Sequence, residues 1–253
     1  MKVSGISAVV TGGGSGLGEA TARRLAAEGA KVGVLDLNGD AATRVAAEIG
    51  GVALQCDVTS EDQAVAALAR ATEAHGPVRI LVNCAGIAAA GRIVSREGPM
   101  PLADFEKVIR VNLVGSFNML RLASAAMFQM EALDDNARGV IINTASVAAQ
   151  DGQVGQAAYA ASKGAIASLA LPAAREFAKL GIRVNTIAPG IFMTPLLQSL
   201  SEEVQKSLAA TIPYPDRLGD PAEFADAVFF AISNQYLNGE MIRLDGATRL
   251  PPK

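Results

Sequence analysis

Short apolar runs alternate along the chain with longer, alanine-rich stretches. The runs ISAVVT (6–11), KVGVLD (31–36), VALQCD (52–57), RILVN (79–83), GVIINTAS (139–146), IRVNTIA (182–188) and EMIRLD (240–245) are near-continuous in apolar residues. Strands with one wet face alternate, whereas strands buried on both faces read this way. Between the runs, residues 17–28, 40–49, 60–74, 102–131, 155–180 and 220–233 predict helices. Repeated strand–helix units predict an α/β fold, a Rossmann-type doubly wound parallel sheet of about seven strands with helices on both faces. No Pro/Ser-rich linker, charge block or internal repeat interrupts the pattern, so residues 1–253 are expected to form a single domain.

Composition narrows the chemistry. Half of the 253 residues are apolar, and a chain of this size buries roughly 70–75% of its unfolded surface. Charges or glycines interrupt every apolar run before the about 20 residues a membrane-spanning helix requires. MKVSGISAVV enters a strand almost at once and leaves no room for a conventional cleaved leader. The expected location is therefore cytoplasmic, or the mitochondrial matrix in a eukaryote. Cys56 and Cys84 match no metal-ligand spacing and are expected to be buried thiols, and His75, the single histidine, precedes Gly-Pro and is expected in a turn. This leaves no ligand set for most zinc chemistry. A net charge of −3 and the absence of tryptophan show neither a basic groove nor a stacking platform for nucleic acid.

The first strand–helix junction is TGGGSGLG, Thr11 to Gly18. Leu17 stands where G-x-G-x-x-G would place its third glycine, yet Gly12, Gly16 and Gly18 fit T-G-x-x-x-G-x-G. Glycines here allow a tight turn and let the following helix offer its N-terminal amides to a pyrophosphate. Asp36 closes the second strand, placed to accept hydrogen bonds from the adenosine ribose and to repel a 2′-phosphate. Leu37 and Asn38 supply no neighbouring cation, so NAD is the expected cofactor rather than NADP. Asp57 ends the third run, as a partner for the adenine edge or as a cap for the next helix.

Further on, Asn83-Cys84-Ala85-Gly86 ends the fourth strand and Ser146 the fifth, thirteen residues before Tyr159 in AAYAASKG. Tyr159 and Lys163 are four apart, so they share a helix face. Both can point into a pocket at the carboxyl ends of the strands. In this order T-G-x-x-x-G-x-G, N-C-A-G, Asn112, Ser146 and Y-x-x-x-K resemble the short-chain dehydrogenase/reductase superfamily over essentially the whole chain. The stretches GVIINTASVAAQDGQVGQAAYAASKG, IAPGIFMTPLL, PYPDRLGDPAEFA and LNGEMIRLDGA resemble its type 2 3-hydroxyacyl-CoA dehydrogenase subfamily more narrowly. Cys84 in place of a second asparagine, Thr144-Ala145 before the serine, and Ala247 after Asp245-Gly246 depart from the commonest superfamily pattern in ways that this subfamily shares.

The resemblance implies an enzyme of fatty acid metabolism that exchanges hydride with NAD and interconverts a secondary alcohol and a ketone. Tyr159 is the implied general base, Lys163 and the positive charge of oxidised nicotinamide together lower its pKa, Lys163 also holds the nicotinamide ribose, Ser146 donates to the substrate oxygen, and Asn112 positions a water in a proton relay. Bringing a phenol from about 10 toward 7 takes about 4 kcal/mol. The implied cofactor site comprises Gly12, Ser15, Gly16, Leu17, Gly18, Asp36, Asp57, Val58, Cys84, Ala85, Gly86, Tyr159 and Lys163. Pro189, Gly190, Phe192 and Thr194 join it on the carboxamide side, where Thr194 would alternatively cap the next helix.

The apolar, proline-punctuated stretches within about 191–217 predict a substrate loop. They suit 3-hydroxyacyl-CoA, including 2-methyl-branched esters, with Arg92, Arg96 and Lys206 as candidate partners for coenzyme A phosphates. A hydroxysteroid or other secondary alcohol is the rival substrate, and a scaffold role in an RNA-processing complex is the non-enzymatic rival. Small residues along 102–131 and 155–180, together with the resemblance, imply a homotetramer.

Overall fold

A computed structural model describes residues 1–252. The first half runs β1 (Ser7–Thr11), α1 (Gly16–Ala27), β2 (Lys31–Asp36), α2 (Gly39–Ile49), β3 (Val52–Gln55), α3 (Glu61–His75) and β4 (Val78–Asn83). A hairpin of β5 (Val94–Ser95) and β6 (Gly98–Pro99) then leads to α4 (Leu102–Ile109), a π-helical turn (Arg110–Val114) and α5 (Gly115–Phe128). The second half runs β7 (Gly139–Thr144), α6 (Ala148–Asp151), α7 (Ala157–Phe177), β8 (Ile182–Pro189), α8 (Pro195–Gln198), α9 (Glu202–Ala209), α10 (Pro221–Ser233) and β9 (Met241–Leu244).

Seven strands form one sheet in the order β3-β2-β1-β4-β7-β8-β9, and every pairing is parallel. Adjacent strand residues face opposite sides, which splits the core in two. Val10, Val34, Ile80 and Ile142 pack against α1, α2 and α10, while Val9, Leu35, Leu81 and Ile141 pack against α3, α5 and α7. Strands apolar on both faces are the physical reason the seven runs were near-continuous. The chain order reverses between β1 and β4, which opens a crevice at the carboxyl ends of the strands, where open α/β sheets bind their ligands.

Four departures from the expected elements matter. The third and fifth runs stop at Gln55 and Thr144, so Asp57 and Ser146 lie in the loops just beyond. The expected 102–131 helix widens into the π turn around Asn112. His75 is the last residue of α3 and Gly76, at φ +83°, makes the turn. The hairpin and the short helices α6, α8 and α9 were not foreseen. The two ends of the segment after β8 are joined by a pair of backbone bonds. There Met193 N donates to Gly219 O (2.8 Å) and Gly219 N to Ile191 O (2.9 Å).

Candidate active site

The glycine turn is built by close approach. At Gly12, φ is +64° and a Cβ would lie 2.8 Å from the Ala85 amide nitrogen. A Cβ at Gly18 would lie 2.1 Å from Gly12 O, so only glycine lets α1 seat directly on the turn. Ser15, at the N-cap of α1, makes no side-chain cap, and Leu17 packs partly against the core. The first-turn amides therefore face the crevice with the helix dipole behind them, a setting for a dinucleotide pyrophosphate. Across the crevice, Thr194 and Pro195 stand over the same turn: a Cβ at Gly16 would meet Pro195 Cδ at 3.5 Å and Thr194 Cγ2 at 3.7 Å.

Asp36 holds the turn as well as facing the crevice. Its Oδ2 accepts from Gly14 N and its Oδ1 from Asn38 N, each at 2.9 Å. Each carboxylate oxygen keeps acceptor capacity for a ribose hydroxyl. Asp57 does not cap α3. That position belongs to Ser60, which accepts from Gln63 N, because Asp57 lies in the preceding loop and its Oδ1 instead accepts from Thr59 N at 2.8 Å. Val58 is buried and its carbonyl accepts from Asn118 Nδ2 at 2.9 Å. Cys84 and Ala85 are tied to β1, through Cys84 N to Thr11 O (3.2 Å) and Ala85 N to Thr11 Oγ1 (3.1 Å). The Cys84 thiol accepts from Thr144 Oγ1 at 3.5 Å, and burial pushes its pKa up to about 11, so it stays a neutral thiol. Cys56 is the buried thiol expected, likewise pushed up to about 11 by burial.

Ser146, Tyr159 and Lys163 come together as their spacing implied. Ser146, buried, accepts from Ala148 N at 3.1 Å and hydrogen-bonds the Tyr159 phenol. Lys163 Nζ lies 5.7 Å from the Tyr159 ring centroid and donates to Thr144 O at 2.8 Å. A Cβ at Gly86 would sit 3.5 Å from that nitrogen, so Gly86 keeps the space beside it open. Among the protein's own groups, burial governs the electrostatics of this pair. Burial raises the Tyr159 pKa above its ordinary value, with the Ser146 hydrogen bond as the only opposing effect, while burial drags Lys163 down to about 8. Desolvation therefore sets the direction of both shifts.

Asn112 lies in the π turn, completely buried. Its side chain reads one backbone site: Oδ1 accepts from Ile87 N (2.8 Å) and Nδ2 donates to Ile87 O (3.0 Å). Nδ2 also donates to Ser162 Oγ (3.0 Å), which itself donates to Tyr159 O (2.7 Å). Both amide protons are thus spent on joining the Gly86–Ile87 loop to the helix that carries Tyr159. Ser162, Thr11 and Thr144 were not singled out from the sequence. Ser162 had a signal in lying directly before Lys163 inside the Tyr–Lys turn.

Pro189 ends β8 and Gly190 N donates to Leu244 O (2.9 Å). The ring of Phe192 is committed to the interior, edge-on to Phe224 at 6.3 Å and pressed on Gly219, where a Cβ would clash at 2.7 Å. Thr194 occupies the N-cap position of α8 without a side-chain cap bond, so the capping alternative fails and its side chain stands against the glycine turn. Of the three candidate phosphate partners, Arg92 lines a cleft of about 690 Å³ with Ile87, Met100 and Ala158. Arg96 is exposed in the nearby hairpin, and Lys206 is paired with Glu202 on its own helix at 3.5 Å. No group of three or more potential metal ligands exists among the described residues.

A dinucleotide cradle whose open end meets a buried serine and lysine and a half-buried tyrosine is suited to moving a hydride and a proton together, which places the molecule among Rossmann-type oxidoreductases. The likeness goes beyond class: residues 7–205 match the model of short chain dehydrogenase, and the chain belongs to that family. Among curated relatives, human 3-hydroxyacyl-CoA dehydrogenase type-2 is 53% identical over 255 residues, covering 99% of this chain and 98% of the relative. The rat protein of the same name is 51% identical with the same coverage. The crystal structure of 3-hydroxyacyl-CoA dehydrogenase type-2 from Mycobacterium avium superposes with a TM-score of 0.95 at 45% identity, covering 98% of both chains. A 7 alpha-hydroxysteroid dehydrogenase complexed with NADH and 7-oxo glycochenodeoxycholic acid reaches 0.89 at 32% identity, over 100% of this chain and 97% of that one.

Proposed function

We propose that the protein interconverts a 3-hydroxyacyl-CoA and its 3-oxoacyl-CoA with NAD as the hydride carrier. The observation that carries this reading is the meeting of Ser146, Tyr159 and Lys163 at the open end of the Gly12–Gly18 cradle. The names of the half-identical relatives supply the substrate class. The cradle suits a dinucleotide: glycine at 12 and 18 keeps the turn tight against the Ala85 backbone and Gly12 O, and Ser15 leaves the first-turn amides of α1 without a side-chain cap. When bound, NAD would supply the acceptor for the hydride of the carbinol carbon, and its positive ring charge would join Lys163 in favouring the Tyr159 phenolate. Tyr159 takes the hydroxyl proton as the carbonyl forms, and returns it in the reverse direction. Ser146 donates to the reacting oxygen and steadies its charge. Lys163 holds the nicotinamide ribose, and Asn112 fixes the loop and helix on either side.

Asp36, with its two carboxylate oxygens facing the turn, favours NAD over NADP. The segment 191–217 covers the acyl chain, Arg92 meets a phosphate of coenzyme A, and the active form is a homotetramer. The test is steady-state kinetics of the purified protein with NAD on 3-hydroxyacyl-CoA, 2-methyl-branched 3-hydroxyacyl-CoA and hydroxysteroid substrates. Highest kcat/KM on an acyl-CoA supports the reading. No turnover of any acyl-CoA ester overturns it, and a preference for the steroid moves the protein to its rival.

A further inference from the structure

Gly14, in the middle of the cofactor turn, is held from both sides. Its N–H donates to Asp36 Oδ2 at 2.9 Å, while its carbonyl accepts from Arg44 Nη2 at 3.0 Å. A guanidinium therefore stands one residue's width from the carboxylate that faces the adenosine ribose. Its preference for phosphate oxygens makes it a natural partner for a 2′-phosphate. Arg44 is not free, however. Glu19 takes it with both oxygens, at 3.0 Å to Nη1 and 2.7 Å to Nη2. Glu19 also holds Arg23 (2.7 Å), Arg23 reaches Glu48 (2.5 Å), and Glu48 returns to Arg44 (3.6 Å). Two cations and two anions thus close a ring across α1 and α2 with no net charge. Of the four, Glu19 is the least exposed (21% of its side chain) and the only one bonded to both arginines by short contacts, whereas Arg44 is half exposed (49%) and able to swing.

We propose that Glu19 is a specificity-determining residue: by tethering Arg44 to the outer side of Gly14, it withholds from the ribose pocket the cation that a 2′-phosphate would require. This rests on the reading that the enzyme prefers NAD. Selection against the phosphate then has two parts, repulsion by Asp36 and confinement of Arg44, and removing the first leaves the second in force.

The experiment compares kcat/KM for NAD and NADP in the wild type, Asp36→Asn, Asp36→Asn/Glu19→Gln, and the same pair with Arg44→Gln added. Asparagine at 36 removes the charge but keeps an acceptor for Gly14 N. Adding Glu19→Gln is expected to raise kcat/KM for NADP by about tenfold over Asp36→Asn, the worth of one charge-assisted contact. That gain should shrink as salt is raised and vanish with Arg44→Gln. Glu19→Ala, which has no amide to re-engage Arg44, should give the same order, and calorimetric binding of NADP should follow it. The proposal is overturned if Glu19→Gln brings no gain, or if the gain survives Arg44→Gln. It is also overturned if the gain disappears instead with Arg70→Gln, the arginine lining the polar cleft beside Asn38. A wild type faster with NADP than with NAD sinks the cofactor reading itself, and that is read without any variant.

Discussion

At the scale of single residues, the active site is a contest between burial and charge. Tyr159→Phe removes the proton acceptor but not the ring that lines the pocket. It is expected to lower kcat by about 10²–10⁴-fold while NAD binding, followed by fluorescence or calorimetry, stays close to wild type. Because burial raises the phenol pKa, the oxidative rate, which needs phenolate, should climb with pH through the alkaline range, and the reductive rate should fall over the same range. A pH profile of kcat/KM in both directions checks this. Lys163 has the opposite stability linkage. Burial lowers its folded pKa to about 8 from 10.5, so between these values the unfolded chain holds more protons than the folded one, and stability rises with pH. Below about pH 8 the buried charge is a standing cost. Lys163→Met should therefore raise Tm at pH 7 while nearly abolishing turnover, and Tm by calorimetry alongside kcat tests the pair. The tyrosine, lysine and serine were legible because helix periodicity and strand ends fix where they fall. The net direction of the Tyr159 shift was not legible, because desolvation depends on how deeply neighbours cover the ring.

At the scale of elements, contacts between segments distant in sequence set the local geometry. Gly18 is such a point: a methyl group there meets Gly12 O. Gly18→Val should push α1 off the turn and weaken NAD binding by at least about tenfold, measurable by calorimetry in a protein that keeps its far-ultraviolet circular dichroism. Arg183 on β8 is another. It donates to Ala231 O and Leu237 O at 2.8 Å and to Ile232 O at 2.6 Å, at and beyond the end of α10. A cation at a helix C-terminus satisfies carbonyls that have no partner within the helix. Arg183→Met leaves Ala231 O without this donor, while Asn185 Nδ2 and the Met1 amino group still reach Leu237 O and Ile232 O, and should cost about 1–3 kcal/mol in urea unfolding. The long elements were legible from their apolar runs. The π turn at Asn112 was not, since it answers to Ile87, far away in sequence. The short helices α6, α8 and α9 were missed because each is only a turn or two long, with too few residues for a periodic pattern to show.

At the scale of the whole molecule, the parallel sheet and its switch point were legible, as strand–helix alternation admits few arrangements. The outer surface was less so. Phe117 and Phe128 on α5 and Leu171 on α7 stay 47%, 50% and 44% exposed, and a groove between the two helices is lined by Phe117, Phe128, Leu169, Pro172 and Phe177. Apolar area of this kind favours association. In the homotetramer reading, Phe128→Glu should lower the mass measured by light scattering on a sizing column. An unchanged mass would place the subunit contacts elsewhere. No described helix is long and apolar enough to cross a membrane.

The neck formed by Ile191, Met193 and Gly219 bears on how new specificities arise. The segment departs from the sheet after β8 and returns beside its own start at Gly219, and between these ends Thr194 and Pro195 on the glycine turn and Ile212 and Tyr214 on Gly246 tie it to the body. The entropy of closing such an excursion grows only with the logarithm of its length. Insertions between these contacts, within residues 198–211, are therefore expected to change what the pocket accepts at little cost to folding. The reacting groups, in the loop after β7 and on α7, lie outside the excursion. The fold behaves as a fixed engine with an interchangeable cover, and evolution can vary the cover without touching the engine.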